Sequence, residues 1–281
     1  MKKLISIALC ALAATFASAG ARAGGISDNG VNGYYGADGH GRGDIIGSSL
    51  YDVYGATVAK VGTVLTFTIG TNFAGNAGSD AWSAANGIGY GDLFLAQTWN
   101  PYGSDAHHVN DNAANGTKWK YGLSLNDRWS NTGGTFKLYM LNGSTNAANI
   151  KNSETFMDCD LPGENTPDPS CLYRNGQAAA VKVKNSNGSN NSNVSYTNVT
   201  GNWTVQANQS IKFTFDAATV AGLVNLTSFA LHWGETCQND VIEGVVTIVP
   251  SPESLPLIAL GLGMILVLRR RASTGPALPM Q

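Results

Sequence analysis

Short stretches that alternate apolar and polar residues every second position constrain this chain more than any other feature. Leu65, Phe67 and Ile69 fall on one face of residues 63–69. Phe136, Leu138 and Met140 alternate with Lys137, Tyr139 and Leu141, and Val181 and Val183 with Lys182 and Lys184. Ile211, Phe213 and Phe215 alternate with Lys212 and Thr214, and Phe229, Leu231 and Trp233 with Ala230 and His232. Residues 92–97, 119–125 and 241–248 read as further strands. Side chains of a strand point alternately to its two faces, so each run lays one apolar face on a core. Gly- and Asn-rich turns separate the runs, and only residues 217–226 hint at a short helix. Many short strands with such punctuation predict an all-β fold, an antiparallel β-sandwich of jelly-roll type. Residues 185–198 read as an exposed, mobile loop, and residues 24–43, rich in glycine, as a loose lead-in.

Composition narrows the partners. The chain has 281 residues, of which 13% are charged, with 34 glycines and 27 asparagines. That charged fraction is about half the usual one of about 25%, so the surface is solvated by amides and hydroxyls. Six of the basic residues lie in the terminal segments. Eleven basic residues and eighteen acids remain between residues 24 and 250, near −7. An acidic middle lacks the basic footprint of nucleic-acid binding, and no nucleic-acid partner is expected.

Both ends read as processing segments. Lys2 and Lys3 precede an apolar run over residues 4–16. Ala17-Ser18-Ala19 and Ala21-Arg22-Ala23 then offer small-residue cleavage sites. This is the pattern of a secretory signal peptide over residues 1–23, cut after Ala19 or Ala23. Cys10 lies in the discarded apolar region. At the other end, Pro250-Ser251-Pro252-Glu253-Ser254 leads into an uncharged apolar run over residues 255–268, stopped by Arg269, Arg270 and Arg271. The run is about 21 Å long as a helix, short of the about 20 residues of an average span. Arginine snorkelling and local thinning absorb the deficit, and the arginine stop matches a cytoplasmic end. One C-terminal transmembrane helix is expected, followed by a tail over residues 272–281.

Residues 249–271 resemble the PEP-CTERM sorting signal of Gram-negative bacteria, a Pro-Glu-Pro motif, an apolar helix and an arginine cluster. That resemblance implies that Pro252 and Glu253 are the sorting motif. It also implies that Arg269, Arg270 and Arg271 hold the cytoplasmic side, and that an exosortase-type membrane enzyme is the partner. The second proline of the motif is Ser254 here, and ten residues follow the arginines. Residues 44–248 are similar to secreted PEP-CTERM ectodomains in Thr71-Asn72-Phe73-Ala74-Gly75, in Gly91-Asp92-Leu93-Phe94 and in Leu231-His232-Trp233-Gly234-Glu235-Thr236-Cys237-Gln238-Asn239-Asp240-Val241-Ile242-Glu243-Gly244. The resemblance implies an exported protein, anchored briefly in the inner membrane and then sorted to the cell surface or extracellular matrix. It carries no ectodomain activity.

Three cysteines survive signal removal. Cys159 and Cys171 flank a short loop rich in proline and acids, and an oxidising compartment favours their disulfide. On the chain-entropy account, closing such a loop stabilises by about 3 kcal/mol. Cys237 is left over. A nucleophilic role would need a partner such as His232, but an offset of five residues places the two on opposite faces of a continuous strand. A buried thiol or an alternative disulfide is the expectation. His107 and His108 beside Asp105 and Asp111, with Asn110 and Asn112, or Asp158 with Asp160, offer oxygen ligands suited to Ca²⁺. No EF-hand or similar spacing is present, and no metal or cofactor is expected. Glu235 and Glu243 are the one carboxylate pair considered for glycan hydrolysis. Trp82, Tyr90, Trp99, Tyr102, Trp119 and Trp129 could instead form a sugar-stacking platform. Arg42-Gly43-Asp44 and the sequons at Asn193 and Asn202 carry no functional expectation. The leading expectation is a non-catalytic surface or matrix protein. A carbohydrate-binding module for exopolysaccharide is the alternative, and a glycan hydrolase comes third.

Overall fold

A computed structural model of the chain describes residues 24–27, 34–35, 42–43, 45–81, 84–100, 116–157 and 176–248. The signal segment, the sorting tail with Pro252, Glu253, Arg269, Arg270 and Arg271, and the Cys159 and Cys171 loop lie outside the described residues. So do Trp82, Tyr102 and the 105–112 loop. The described residues belong to the compact unit Ala23–Ile248, and none of their helices is long and apolar enough to cross a membrane.

The strands in chain order are β1 (Gly24–Ser27), β2 (Tyr34–Tyr35), β3 (Arg42–Gly43), β4 (Val53–Val61), β5 (Val64–Thr71), β6 (Leu93–Ala96) and β7 (Tyr121–Leu125). They continue as β8 (Gly133–Leu141), β9 (Ile150–Asn152), β10 (Ala178–Val181), β11 (Val194–Gln206), β12 (Ser210–Asp216), β13 (Ser228–Gly234) and β14 (Val241–Thr247). The helices are single turns, α1 (Asn146–Asn149) and α2 (Ala221–Val224). The all-β expectation holds.

Ten strands form one antiparallel sheet in the order β1-β4-β5-β12-β11-β8-β7-β6-β13-β14. Its edges approach one another: a Cβ placed on Gly244 of β14 would sit 3.3 Å from the Ile26 side chain of β1. The closure is tied near β4 as well. Ile46 N–H donates to the Asn239 carbonyl at 2.8 Å, and Val53 N–H to Asp240 Oδ2 at 2.6 Å. Bringing the edges together covers strand groups that would otherwise pair with other chains.

The period-2 residues fill the interior. Leu65, Phe67, Ile69, Phe136, Leu138, Ile211, Phe213, Phe229, Leu231 and Trp233 are all inaccessible. Phe67 and Phe229 meet edge to face at 5.5 Å, joining β5 to β13 across the core, although the two strands are not neighbours in the sheet. Aromatic pairs of this kind add about 1 kcal/mol to the area they bury.

A second layer sits outside the sheet. The β9–β10 ribbon and α1 cover Phe94, Trp119 and Ala230, and they bury Ile150, Ala178 and Val181 against them. This is why Ala230 and His232 of β13 are buried although the alternation points them away from the core. Two segments read as loops differ in the structure. The lead-in contributes β1, paired with β4 from Gly24 opposite Val58 to Ser27 opposite Gly55. Glycine permits the approach, because a Cβ on Gly25 would lie 2.9 Å from the Ala56 carbonyl oxygen. Residues 194–198 begin β11, paired with β8, and residues 185–191 form an ordered turn closed by Asn185 N–H donating to the Ser189 carbonyl at 2.9 Å. Asparagine side chains supply the turn's bonds, as Asx turns do. Buried Asn191 donates from Nδ2 to the carbonyls of Ala148 and Lys182 at 2.7 and 2.8 Å.

Candidate functional site

The three segments that carry the ectodomain resemblance meet in space. Tyr90 is their centre: its hydroxyl accepts from Gly75 N–H and donates to Asn131 Oδ1, both at 2.8 Å. Its ring stands edge-on to Phe73 at 5.5 Å and to Trp203 at 5.4 Å. One residue on, Gly91 N–H donates to the Gly234 carbonyl at 3.0 Å, and Trp233 Nε1 donates to the Gly91 carbonyl at 3.0 Å. A Cβ on Gly91 would lie 2.1 Å from the Gly234 oxygen, so only glycine fits there.

Asp92 carries the first of the buried carboxylates. Its Oδ1 accepts from Leu125 N–H at 3.0 Å and from Arg128 at 3.1 Å, and its Oδ2 from Val181 N–H at 2.8 Å. It thereby fastens the covering ribbon to the sheet. Burial pushes its carboxyl up, and the Arg128 guanidinium and the two amides pull it back. Four donor contacts in all, counting Arg128 Nη1 to the Tyr90 carbonyl at 2.8 Å, hold this corner together.

The loop after β13 is buried from Glu235 to Asp240. Gln238 takes a φ of +57°, a left-handed turn uncommon for a residue other than glycine. Its Nε2 donates to the Glu235 carbonyl at 2.6 Å. Thr236 Oγ1 accepts from Gly89 N–H at 2.9 Å, and Asp240 accepts from Val53 and Val241 N–H. Cys237 is free and wholly buried. Burial, reinforced by the negative charge of Glu235, pushes its thiol well above the ordinary value. A nucleophilic thiol needs the opposite shift. The same burial raises Tyr51, with Cys237 and Asp80 adding to it.

His232 faces the other way, beneath the ribbon, where its ring packs 5.5 Å from Trp119 and 6.0 Å from Phe94. Its Nδ1 meets Glu243 Oε2 at 2.8 Å and its Nε2 meets the Ala178 carbonyl at 2.9 Å. Both ring nitrogens are thus engaged, one by the Glu243 carboxylate and one by the Ala178 carbonyl. Trp99 Nε1 donates to the other carboxylate oxygen of Glu243 at 2.9 Å. The structure thus separates residues that adjacency in sequence brings together. Cys237 and Glu235 belong with the interior and Tyr51, whereas His232 and Glu243 lie in the outer layer. Glu235 and Glu243 do not face one another across a cleft. Tyr90 and Trp119 are inaccessible and cannot serve as sugar-stacking platforms, and the indole N–H of Trp129 is spent on the Gly87 carbonyl at 3.0 Å.

Two outward surfaces remain. On β4, β5, β12 and β11 the register lines up Thr57, Thr68, Lys212 and Thr204 in one row and Thr66, Thr214 and Asn202 in the next. The Thr66 and Thr214 hydroxyls lie 3.3 Å apart. The other surface, which the sequence reading missed, is a groove of about 710 Å³ on the ribbon, whose described lining includes Lys151, Lys182 and Lys184. The Val181-Lys182-Val183-Lys184 alternation is its only trace in the sequence. Among the described residues no three His, Cys, Asp or Glu side chains group as a metal site. No protein-family model, curated protein or solved structure matches this chain.

Proposed function

We propose that this is an exported, non-catalytic surface or matrix protein, sorted by its C-terminal segment through an exosortase-type membrane enzyme. In this reading the ectodomain is a jelly-roll-like sandwich held by one transmembrane helix over residues 255–268 until release. The observation that carries the non-catalytic role is the use of the buried acids. Asp92, Asp240 and Glu243 each accept bonds that join separate segments of the fold. Threonine and asparagine rows on the outer face suit a hydrated structural surface. Glycan binding is the second reading, favoured by the lysine groove.

Mass spectrometry of non-reduced protein shaved from intact cells tests the assignment. It should find a mature N-terminus after Ala19 or Ala23 and a peptide cross-linking Cys159 to Cys171. An intact Met1 terminus on protein confined to the cytoplasm would refute export. Free thiols at both cysteines would refute the disulfide.

A further inference from the structure

The β9–β10 ribbon sorts its side chains by face. Ile150 and Val181 are opposite one another and are both buried against the sheet. Their chain neighbours Lys151 and Lys182 stand on the ribbon's outward side, as strand alternation requires. Both line the groove with Lys184, whose Nζ donates to Asn190 Oδ1 at 2.6 Å. Asn152, Thr155 and Asn185 add amides and a hydroxyl.

The charge here runs against the rest of the unit. Three of the eleven basic residues between 24 and 250 line one groove in a segment whose net charge is near −7. Lys151 is paired with Ala180, which sets it diagonal to Lys182 on the same outward side, so the lysines converge on one groove without facing one another directly. The close acid–base contacts among the described residues are Arg128 with Asp92 and His232 with Glu243, and neither involves these lysines. Glu154 also lines the groove, but it is held by Gly176 N–H at 2.6 Å and by the Ser153 hydroxyl at 3.3 Å.

The lining chemistry selects among anions. Ammonium groups are compact point charges with rotatable donors, whereas bidentate phosphate recognition favours arginine. Single-stranded nucleic acids are held by base stacking on aromatic rings, and the described lining has neither arginine nor an aromatic ring. Ammonium, amide and hydroxyl groups together suit a chain that carries both carboxylates and hydroxyls. The volume lies within the range of about 300–1,000 Å³ typical of ligand sites.

We propose that the Lys151, Lys182 and Lys184 groove binds a carboxylate-bearing polysaccharide, a polymer of uronic-acid type. The biological setting rests on the export reading, which places the groove among such polymers; binding by purified protein does not depend on it. The full chain in mild detergent should be titrated with polygalacturonate, with neutral dextran and with single-stranded DNA at about 0.15 M salt, where exposed charges are screened beyond about 8 Å. Lys151→Gln/Lys182→Gln/Lys184→Gln is compared with Lys118→Gln/Lys137→Gln/Lys212→Gln, which removes the same charge from exposed positions outside the groove. The groove lysines point outward, so melting temperature should be unchanged in both variants. The expected result is polygalacturonate binding without dextran binding, weakened about tenfold or more in the groove variant, at least 1.4 kcal/mol. The control variant should lose less than about threefold. Equal losses in the two variants, DNA binding as tight as polygalacturonate, equal binding of dextran, or no polygalacturonate binding would each overturn the proposal. Failure of export would appear in cell fractionation and leave these titrations untouched.

Discussion

Glu243 shows how a residue that looks catalytic can be structural. It holds the His232 ring and the Trp99 indole beneath the covering ribbon. Removing its carboxylate takes a hydrogen-bond partner from each of these two rings. Glu243→Ala should therefore destabilise the fold by about 2 kcal/mol, read as a lower denaturation midpoint in urea. Cys237 and Tyr51 make a second case. Both are acids whose folded-state titration is raised by burial, from ordinary values of 9.0 and 10.0. The native state keeps these protons where the unfolded chain has lost them, so their contribution is fully present below about pH 9 and is lost as pH rises beyond it. Stability against urea should fall steadily between about pH 9 and 11, less steeply in Cys237→Ala. A flat profile over that interval would show that Cys237 and Tyr51 titrate normally in the fold.

Among the elements, legibility followed how cleanly each strand keeps its phase. β5, β12 and β13 carry large apolar residues at every second position without a break, and their inward faces could be read directly. β4 was missed because its register shifts between Val53 and Gly55 and part of its inward face is Ala56. β11, with 13 residues the longest strand, was hidden by asparagine, serine and threonine and by a register shift between Tyr196 and Thr200. Val199, within that shift, and Trp203, beyond it, turn inward. The covering ribbon was legible only at its edge, because β10 spans Ala178–Val181 and shares just Val181 with the alternating run read over residues 181–184. Ala178, Ala179 and Ala180 signal neither face, and alternation cannot say that a sheet's outer side will be covered. The site residues fared similarly. Gly91 and Asp92 stood out as a motif, but their task, close backbone contact with Gly234 and anchorage of Val181, depends on partners 143 and 89 positions away. Gly91→Ala should cost about 3 kcal/mol, because the clash is with backbone oxygen and cannot be relieved by a rotamer change. A thermal melt indistinguishable from wild type would contradict that packing.

For the molecule as a whole, the fold and the chain ends address different questions. The unit Ala23–Ile248 has a closed core and its own buried polar anchors. These explain why its surface can be poor in charge without exposing strand edges. In the proposed function, export and sorting rest on residues 1–23 and 249–271, through length, charge and order along the chain. The two tail functions should separate. If, as proposed, Arg269, Arg270 and Arg271 mark a cytoplasmic end, replacing all three should weaken retention in the membrane. Pro252 and Glu253 lie outside the apolar run and should govern processing alone.

The most direct test of the central claim is therefore the size and location of wild type and of Pro252→Ala/Glu253→Ala in a host with an active sorting enzyme. Immunoblots of membrane and released fractions should show wild type shortened and released, and the variant full-length and retained in the membrane. If both proteins stay full-length and membrane-bound, residues 249–271 are a plain anchor and the sorting claim is wrong.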